Sequence, residues 1–224
     1  MGWNEWVRTA EVEPSIYAAD FSRLGEQIET VMDAGAKIFQ FDVGDGHFIE
    51  PITIGPIVLE SISSLVHARG GILDCHLMIE TPWKHFEAIR KAGGDSVTVH
   101  YEACDDLPGV IAQARELGMG AGLAFNPETE PDAVVEAAGE LVDLVLCMSI
   151  HPGYSGQPFM PEAIPRVRRL RELLPDEVFI QVDGGVGRDN ARELREAGAS
   201  LLVAGSSVFG QTDIAAAYTA LAEG

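Results

Sequence analysis

Residues 33–43 read "DAGAKIFQFDV", and the fold turns on how they are parsed. A glycine just past a helix-periodic stretch is a C-cap signal, and the compact apolar run behind it reads as a buried parallel strand. The same junction recurs as "KAGGD" (91–95), "ELGMG" (116–120) and "EAGAS" (196–200), each followed by another apolar run. Collected along the chain, the runs are "EVEPSI" (11–16), "KIFQFDV" (37–43), "GILDCHLM" (71–78), "DSVTVHY" (95–101), "GAGLAF" (120–125), "VDLVLCM" (142–148), "EVFIQVDG" (177–184) and "SLLVAGS" (200–206). Between them lie amphipathic helical patterns such as "FSRLGEQIETVMDAG" and "MPEAIPRVRRLRELL". Eight strands alternating with helices in 224 residues predict a single (β/α)8 TIM barrel, an α/β fold. A doubly wound open sheet is the alternative, but it calls for GxGxxG after the first strand, and "SIYAADFSRL" has none.

No composition break marks a linker, so residues 1–224 read as one domain with residues 1–10 as an N-terminal extension. Trp3 and Trp6 in that extension are expected to cover the barrel bottom or to join a subunit interface, and a homo-oligomer is expected. The net charge of −20 argues against a nucleic-acid backbone or an anionic membrane surface as partner, since both select a basic patch. An anionic substrate would have to be held by local backbone N–H groups against the global field. Cys75, Cys104 and Cys147 are three and widely spaced, which fits neither a disulfide framework nor a CxxC zinc site, and a reducing cytoplasmic setting follows. The N-terminus lacks a basic and an apolar leader region, and no apolar run reaches bilayer length.

In a TIM barrel the chemistry gathers where strands end. Side chains alternate along a strand, so Gln40 and Asp42 share a face, as do Asp74 and His76, and His100 and Glu102. If Asp42, His76 and Asp183 all face the axis, two carboxylates and an imidazole converge from strands 2, 3 and 7. That mixed oxygen and nitrogen set suits a divalent ion such as Zn, Fe or Mn. "VDGGV" (182–186) and "VAGSSVFG" (203–210) follow strands 7 and 8, where this fold commonly binds phosphate, and "PGYSGQ" (152–157) closes a third side. The phosphate candidates are therefore Gly153, Ser155, Gly156, Gly184, Gly185, Gly205 and Ser206.

"PSIYAADFSRLGEQI", "FDVGDGHF", "ITIGP", "LDCHLMIETP", "TVHYEA", "NPETEP", "VDLVLCMSIHPGYSGQPF", "VDGGV" and "AGSSVFG", in this order from residue 12 to residue 210, resemble the ribulose-phosphate 3-epimerase family. The resemblance implies a (β/α)8 barrel that interconverts ribulose 5-phosphate and xylulose 5-phosphate by inverting C3, with one bound divalent metal. It implies Asp42 and Asp183 as metal ligands and acid/base pair and His76 as a further ligand. Ser15, Met78 and Met148 then contact substrate, as does His76, and Gly184, Gly185, Gly205 and Ser206 bind phosphate. His47 matches a residue beside the site. The chemistry agrees with the residues: inverting a centre next to a ketone takes a base on one face and an acid on the other, with a Lewis acid across the enediolate oxygens.

The chain departs from the family pattern around the sugar. Gln40 stands where the family has a fourth ligand, a histidine, and reads as a weak ligand, a group behind the ligands or a substrate contact. Tyr17 and Ala18 replace Leu-Ser, and Gly44 replaces a methionine, which makes room for a larger sugar. His151 replaces Asn, Asp or Glu and is expected to hydrogen-bond substrate, with replacement of the missing ligand as the alternative. Tyr101 and Glu102 are expected to orient His100. Two other readings stand beside the epimerase: the same chemistry on another ketose phosphate, such as allulose 6-phosphate, and a phosphosugar-binding relative whose metal site is altered at Gln40. A decarboxylase of this barrel would want an Asp-x-Lys-x-x-Asp array, and "FDVGDG" has no lysine.

Overall fold

Each of the eight apolar runs contains a strand in the computed structural model, which describes residues 12–224. The extension at 1–10, with Trp3 and Trp6, lies outside the described residues. The strands are β1 (Val12–Pro14), β2 (Ile38–Gly44), β3 (Ile72–Met78), β4 (Ser96–His100), β5 (Gly120–Phe125), β6 (Leu144–Met148), β7 (Phe179–Asp183) and β8 (Leu201–Ala204). Helices α1 (Leu24–Asp33), α2 (Pro56–Ala68), α3 (Phe86–Ala92), α4 (Leu107–Glu116), α5 (Pro131–Ala138), α6 (Ala163–Leu173) and α7 (Arg188–Ala197) fill the crossovers. A short α8 (Ser206–Phe209) and α9 (Ile214–Ala222) follow β8. The glycines of the four repeated junctions, Gly35, Gly93, Gly118 and Gly198, all have φ between 72° and 112°, the left-handed conformation that ends a helix without cost to glycine.

All neighbouring strands pair in parallel, in the order β1-β8-β7-β6-β5-β4-β3-β2. A parallel bridge between Ser15 and Gln40 brings β1 against β2 and closes the ring. Pro14 has no N–H to give, and the β1–β8 ladder continues at Ser15, whose N–H donates to Ala204 O at 3.0 Å.

Alternation divides the apolar residues into two sets. Outward-facing Phe39, Phe41, Leu73, Val97 and Ile180 pack with Ile28, Leu59, Val66, Ile89 and Leu194 of the helices, forming the layer between sheet and helices. Truncating a ring such as Phe41, which is fully buried, costs about 3–5 kcal/mol in a site that cannot collapse. The inward-facing apolar residues are fewer: Ile38, Ala124, Leu144, Leu146, Met148 and Leu201. They occupy mainly the β5–β6 side. The opposite side of the lumen is polar, with Glu13, Gln40, Asp42, Asp74, His76, Thr98, His100 and Gln181 all buried.

The floor of that polar half joins Glu13, Asp74 and Gln181. The Gln181 amide donates to Glu13 and, at 3.3 Å, to Asp74, and Ser96 Oγ donates to Asp74 at 2.6 Å. Burial pushes the Glu13 carboxyl well above its ordinary range, and the neighbouring Asp74 adds to it; Asp74 itself is raised to about 6, first by burial. A carboxyl with a raised folded pKa keeps its proton where the unfolded chain has lost it, so its contribution is full below the unfolded value of 3.8 and is lost as pH rises through about 6. For Asp74 this amounts to roughly 3 kcal/mol. The metal-free chain should therefore melt at a lower temperature at pH 8 than at pH 5, and Glu13→Gln should make the decline shallower. A melting temperature that rises over that interval contradicts the linkage. Among the described residues no helix is long and apolar enough to cross a membrane.

Candidate active site and metal centre

Strand register assembles the site before any side chain is considered. β2 and β3 pair Asp42 with His76, and β6 and β7 pair Met148 with Asp183, at the C-terminal ends of their strands. The Ser15–Gln40 bridge sets Ser15 over the same point from β1. Their side chains then meet. His76 Nδ1 lies 2.9 Å from Asp42 Oδ1 and 3.7 Å from Asp183 Oδ2. Ser15 Oγ donates to Asp42 Oδ2 at 2.6 Å. The Gln40 amide nitrogen bridges the two carboxylates, donating to Asp42 Oδ1 at 2.7 Å and to Asp183 Oδ2 at 2.8 Å.

Donor chemistry tests whether this cluster suits a metal. One ligand atom from each of Asp42, His76 and Asp183 lies within 4.8 Å of the others. Donors about 2.1 Å from a zinc-sized ion stand about 3.4 Å apart in tetrahedral geometry, a separation that lies between the two imidazole distances. His76 Nε2 faces His100 Nε2 at 2.9 Å. With Nε2 of His76 as the donor in that contact, its Nδ1 is a lone pair aimed at carboxylate oxygens, an acceptor facing acceptors, which a cation or a proton between them satisfies. The set fits a divalent ion. Gln40 presents its nitrogen to this centre, while its Oε1 is buried with no hydrogen-bond partner. The expectation that Gln40 is a ligand thus holds only with the amide turned over, which would also give the orphaned oxygen a partner.

The two carboxylates have unlike environments. Burial, reinforced by the charge of Asp42, raises Asp183 to about 7. Asp42 accepts hydrogen bonds on both oxygens. For His76, burial acts to lower its pKa, but the hydrogen bond and charge of Asp42, with Asp183 adding, raise it overall.

Above the cluster a cleft opens to the surface, lined by Ser15, Asp42, Met78, Met148 and Asp183 at its inner end and by Gly153, Ser155, Gly156, Gly184, Gly185, Gly205 and Ser206 on its rim. Every rim glycine and serine singled out from the sequence lines this one cleft. Close approach explains the glycines: a β carbon on Gly184 would stand 2.4 Å from Ile150 Cγ1, and one on Gly205 would stand 3.4 Å from Ser155 Oγ and 3.2 Å from Ala18 Cβ. Gly184 also has φ of 120°, which side chains rarely adopt.

The remaining candidates take different places. His151 does not line the cleft; it is exposed, and its Nδ1 pairs with Glu128 Oε1 at 3.1 Å across the neighbouring loop. Gly44 does not enlarge the sugar space, because the side chain of Ile49 lies 2.4 Å from where its β carbon would be. Asp45 belongs to a polar turn, accepting from the N–H groups of His47, Phe48 and Glu80. His47 is exposed beside it. Glu102 does reach His100, at 3.3 Å. Tyr17, one of the departures around the sugar, lines the cleft, as does Tyr154; sequence reasoning did not single out Ile150 and Val186, since loop side chains carry no periodicity. The His76–His100 contact could have been found from register, because β4 pairs with β3 and both imidazoles end strands on the inward face.

Fold and site together define the class, a (β/α)8-barrel enzyme with a carboxylate–imidazole centre of the kind that holds a divalent ion. The chain belongs to the ribulose-phosphate 3-epimerase family: residues 11–209 match the family described as "Ribulose-phosphate 3 epimerase family". It is 42% identical over 207 residues to the ribulose-phosphate 3-epimerase of Bacillus subtilis, covering 91% of this chain and 94% of that protein. It is 44% identical over 211 residues to the ribulose-phosphate 3-epimerase of Synechocystis, covering 92% and 90%. Among solved structures, a 3-hexulose-6-phosphate synthase superposes with a TM-score of 0.70 at 20% identity, over 95% of this chain and 98% of that one. That likeness bears on the fold alone.

Proposed function

We propose that this enzyme interconverts D-ribulose 5-phosphate and D-xylulose 5-phosphate, with Asp42 and Asp183 as the acid/base pair and Asp42, His76 and Asp183 as the ligands of one Zn, Fe or Mn ion. The observation that carries the reading is the pair of carboxylates at the inner end of a glycine-rimmed cleft, close enough for one amide to bridge them, with burial raising Asp183 to about 7. One carboxylate removes the C3 proton from one face of the sugar, and the other returns a proton to the opposite face, with the roles exchanged in reverse. A divalent ion held by Asp42, His76 and Asp183 would supply Lewis-acid stabilisation of the negative charge that develops on the sugar oxygens. Ser15 holds Asp42 in place through its 2.6 Å hydrogen bond. Met78 and Met148, both buried in the cleft wall, exclude water from the planar intermediate. The rim glycines cradle the phosphate by backbone N–H groups, the means open to a chain with a net charge of −20.

The test is turnover of a panel of ketose phosphates in the presence of each metal. Ribulose 5-phosphate should be the best substrate; a clear preference for allulose 6-phosphate would reassign the sugar, and silence on the whole panel with metal bound would favour a phosphosugar-binding role. Two variants sharpen the reading. Gly205→Val should raise KM for the phosphate ester about tenfold or more while the melting temperature changes little, because the added side chain projects toward Ser155 and Ala18 at the cleft rim. Gln40→His should tighten zinc, since imidazole is the better ligand for it. If a zinc titration finds the Gln40→His affinity no higher, position 40 is not among the ligands.

A further inference from the structure

Behind His76, away from the cleft, a second imidazole and a carboxylate continue the line of contacts. His100 is fully buried, and its Nε2 lies 2.9 Å from His76 Nε2. Its Nδ1 lies 3.3 Å from Glu102 Oε2. The other oxygen of Glu102 accepts from the Asn126 N–H at 2.8 Å and from the Thr129 hydroxyl. We propose that Glu102 is a positioning residue for the metal centre: by holding the proton of His100 on Nδ1, it sets the tautomers of both imidazoles so that His76 turns a free Nδ1 lone pair toward Asp42 and Asp183. What that lone pair takes up rests on the metal-dependent reading above.

An ionised carboxylate can only accept, so the nitrogen of His100 that faces Glu102 carries the hydrogen. A neutral His100 then has its lone pair on Nε2. The facing Nε2 of His76 must therefore donate, which leaves Nδ1 of a neutral His76 unprotonated, 2.9 Å from Asp42 Oδ1. Phe48 packs on the His100 ring, with centroids 4.7 Å apart; that contact restrains the ring but is indifferent to which nitrogen holds the proton. Glu102 is thus the group that breaks the symmetry, and outer partners of this kind commonly change metal affinity by about 10- to 100-fold.

Glu102→Gln separates this role from packing. The two donors at Asn126 and Thr129 draw the amide oxygen, which turns the amide NH2 toward His100. His100 then accepts on Nδ1 and carries its hydrogen on Nε2, and His76 is driven to the opposite tautomer, with Nδ1–H donating to Asp42 and no lone pair left for a ligand. The experiment combines titration with Zn(II), without any sugar, and long-range proton–nitrogen correlation spectra of the histidine rings of metal-free protein, recorded at a pH above the imidazole transitions followed in the same spectra, so that both rings are neutral. Wild type should show His76 as the Nε2–H tautomer and His100 as Nδ1–H. In Glu102→Gln both should invert, and the zinc dissociation constant should rise about tenfold or more. Thr129→Val, which leaves the carboxylate in place, should keep the tautomers and bind zinc within about threefold of wild type. A wild-type His76 with its hydrogen on Nδ1 overturns the proposal even if Glu102→Gln does not fold. Weaker zinc binding with unchanged tautomers overturns it too, because the loss then runs through packing, and so do inverted tautomers with unchanged affinity. If wild type takes up no divalent ion, the metal-dependent function fails, while the spectra still decide the role of Glu102.

Discussion

Asp183→Asn is expected to lower turnover of ribulose 5-phosphate by about 10³-fold or more, and Asp42→Asn by a similar factor, because each substitution removes a proton-transfer group and a charged metal ligand together. An amide keeps the shape and can still accept a hydrogen bond from Gln40, so folding should survive. Near-normal turnover in either variant would sink the two-carboxylate scheme. The pair should also differ from each other in deuterium oxide. If each carboxylate serves one face, one variant exchanges the C3 hydrogen of ribulose 5-phosphate without inverting it, and the other does so with xylulose 5-phosphate. Exchange and inversion lost in equal measure for both epimers would instead assign the two groups to one face.

Removing the phosphate from the substrate should have the second-largest effect. A free ketopentose is expected to react with kcat/KM on the order of 10³-fold or more below that of its phosphate ester, since binding energy at the rim is used to hold the reacting carbon between the carboxylates. The cleft gives this reading its geometry. Ser15, Asp42 and Asp183 line its inner end, and seven glycine and serine positions line its rim, so a ligand held at one end is presented to the other. Those rim residues bring no formal charge of their own. Comparable kcat/KM for the free sugar and its ester would remove the cradle, and with it the reason for Gly184 and Gly205 to lack side chains.

The barrel was legible because its signals are local and repeated. A glycine that ends a helix and an apolar run that follows it are properties of neighbouring residues, and Gly35, Gly93, Gly118 and Gly198 all adopt the conformation their places imply. Strand ends were harder to place: the seventh apolar run begins at Glu177, yet β7 starts at Phe179 because Val178 N–H is taken by Pro175 O in a turn. Asp42, His76 and Asp183 were legible as a group because alternation and the rule that chemistry lies at strand ends each apply to a single strand. Gly44 misled for the converse reason. A missing side chain looks like space in a sequence, whereas Ile49, five residues later in a loop, supplies the bulk.

The sequence by itself therefore determined the eight-fold alternation, the polarity of the strand ends, the carboxylate and imidazole set and the glycine-rich rim, all of which follow from residue type and from periods of two and 3.6. Only the tertiary structure decided which atoms meet. Gln40 turns its nitrogen to both aspartates, His151 leaves the cleft for Glu128, and Glu102 reaches through His100 to His76. The physical reason is that hydrogen bonds are directional over about 3 Å, so the role of a polar side chain depends on the register between strands and the course of loops far apart in the chain.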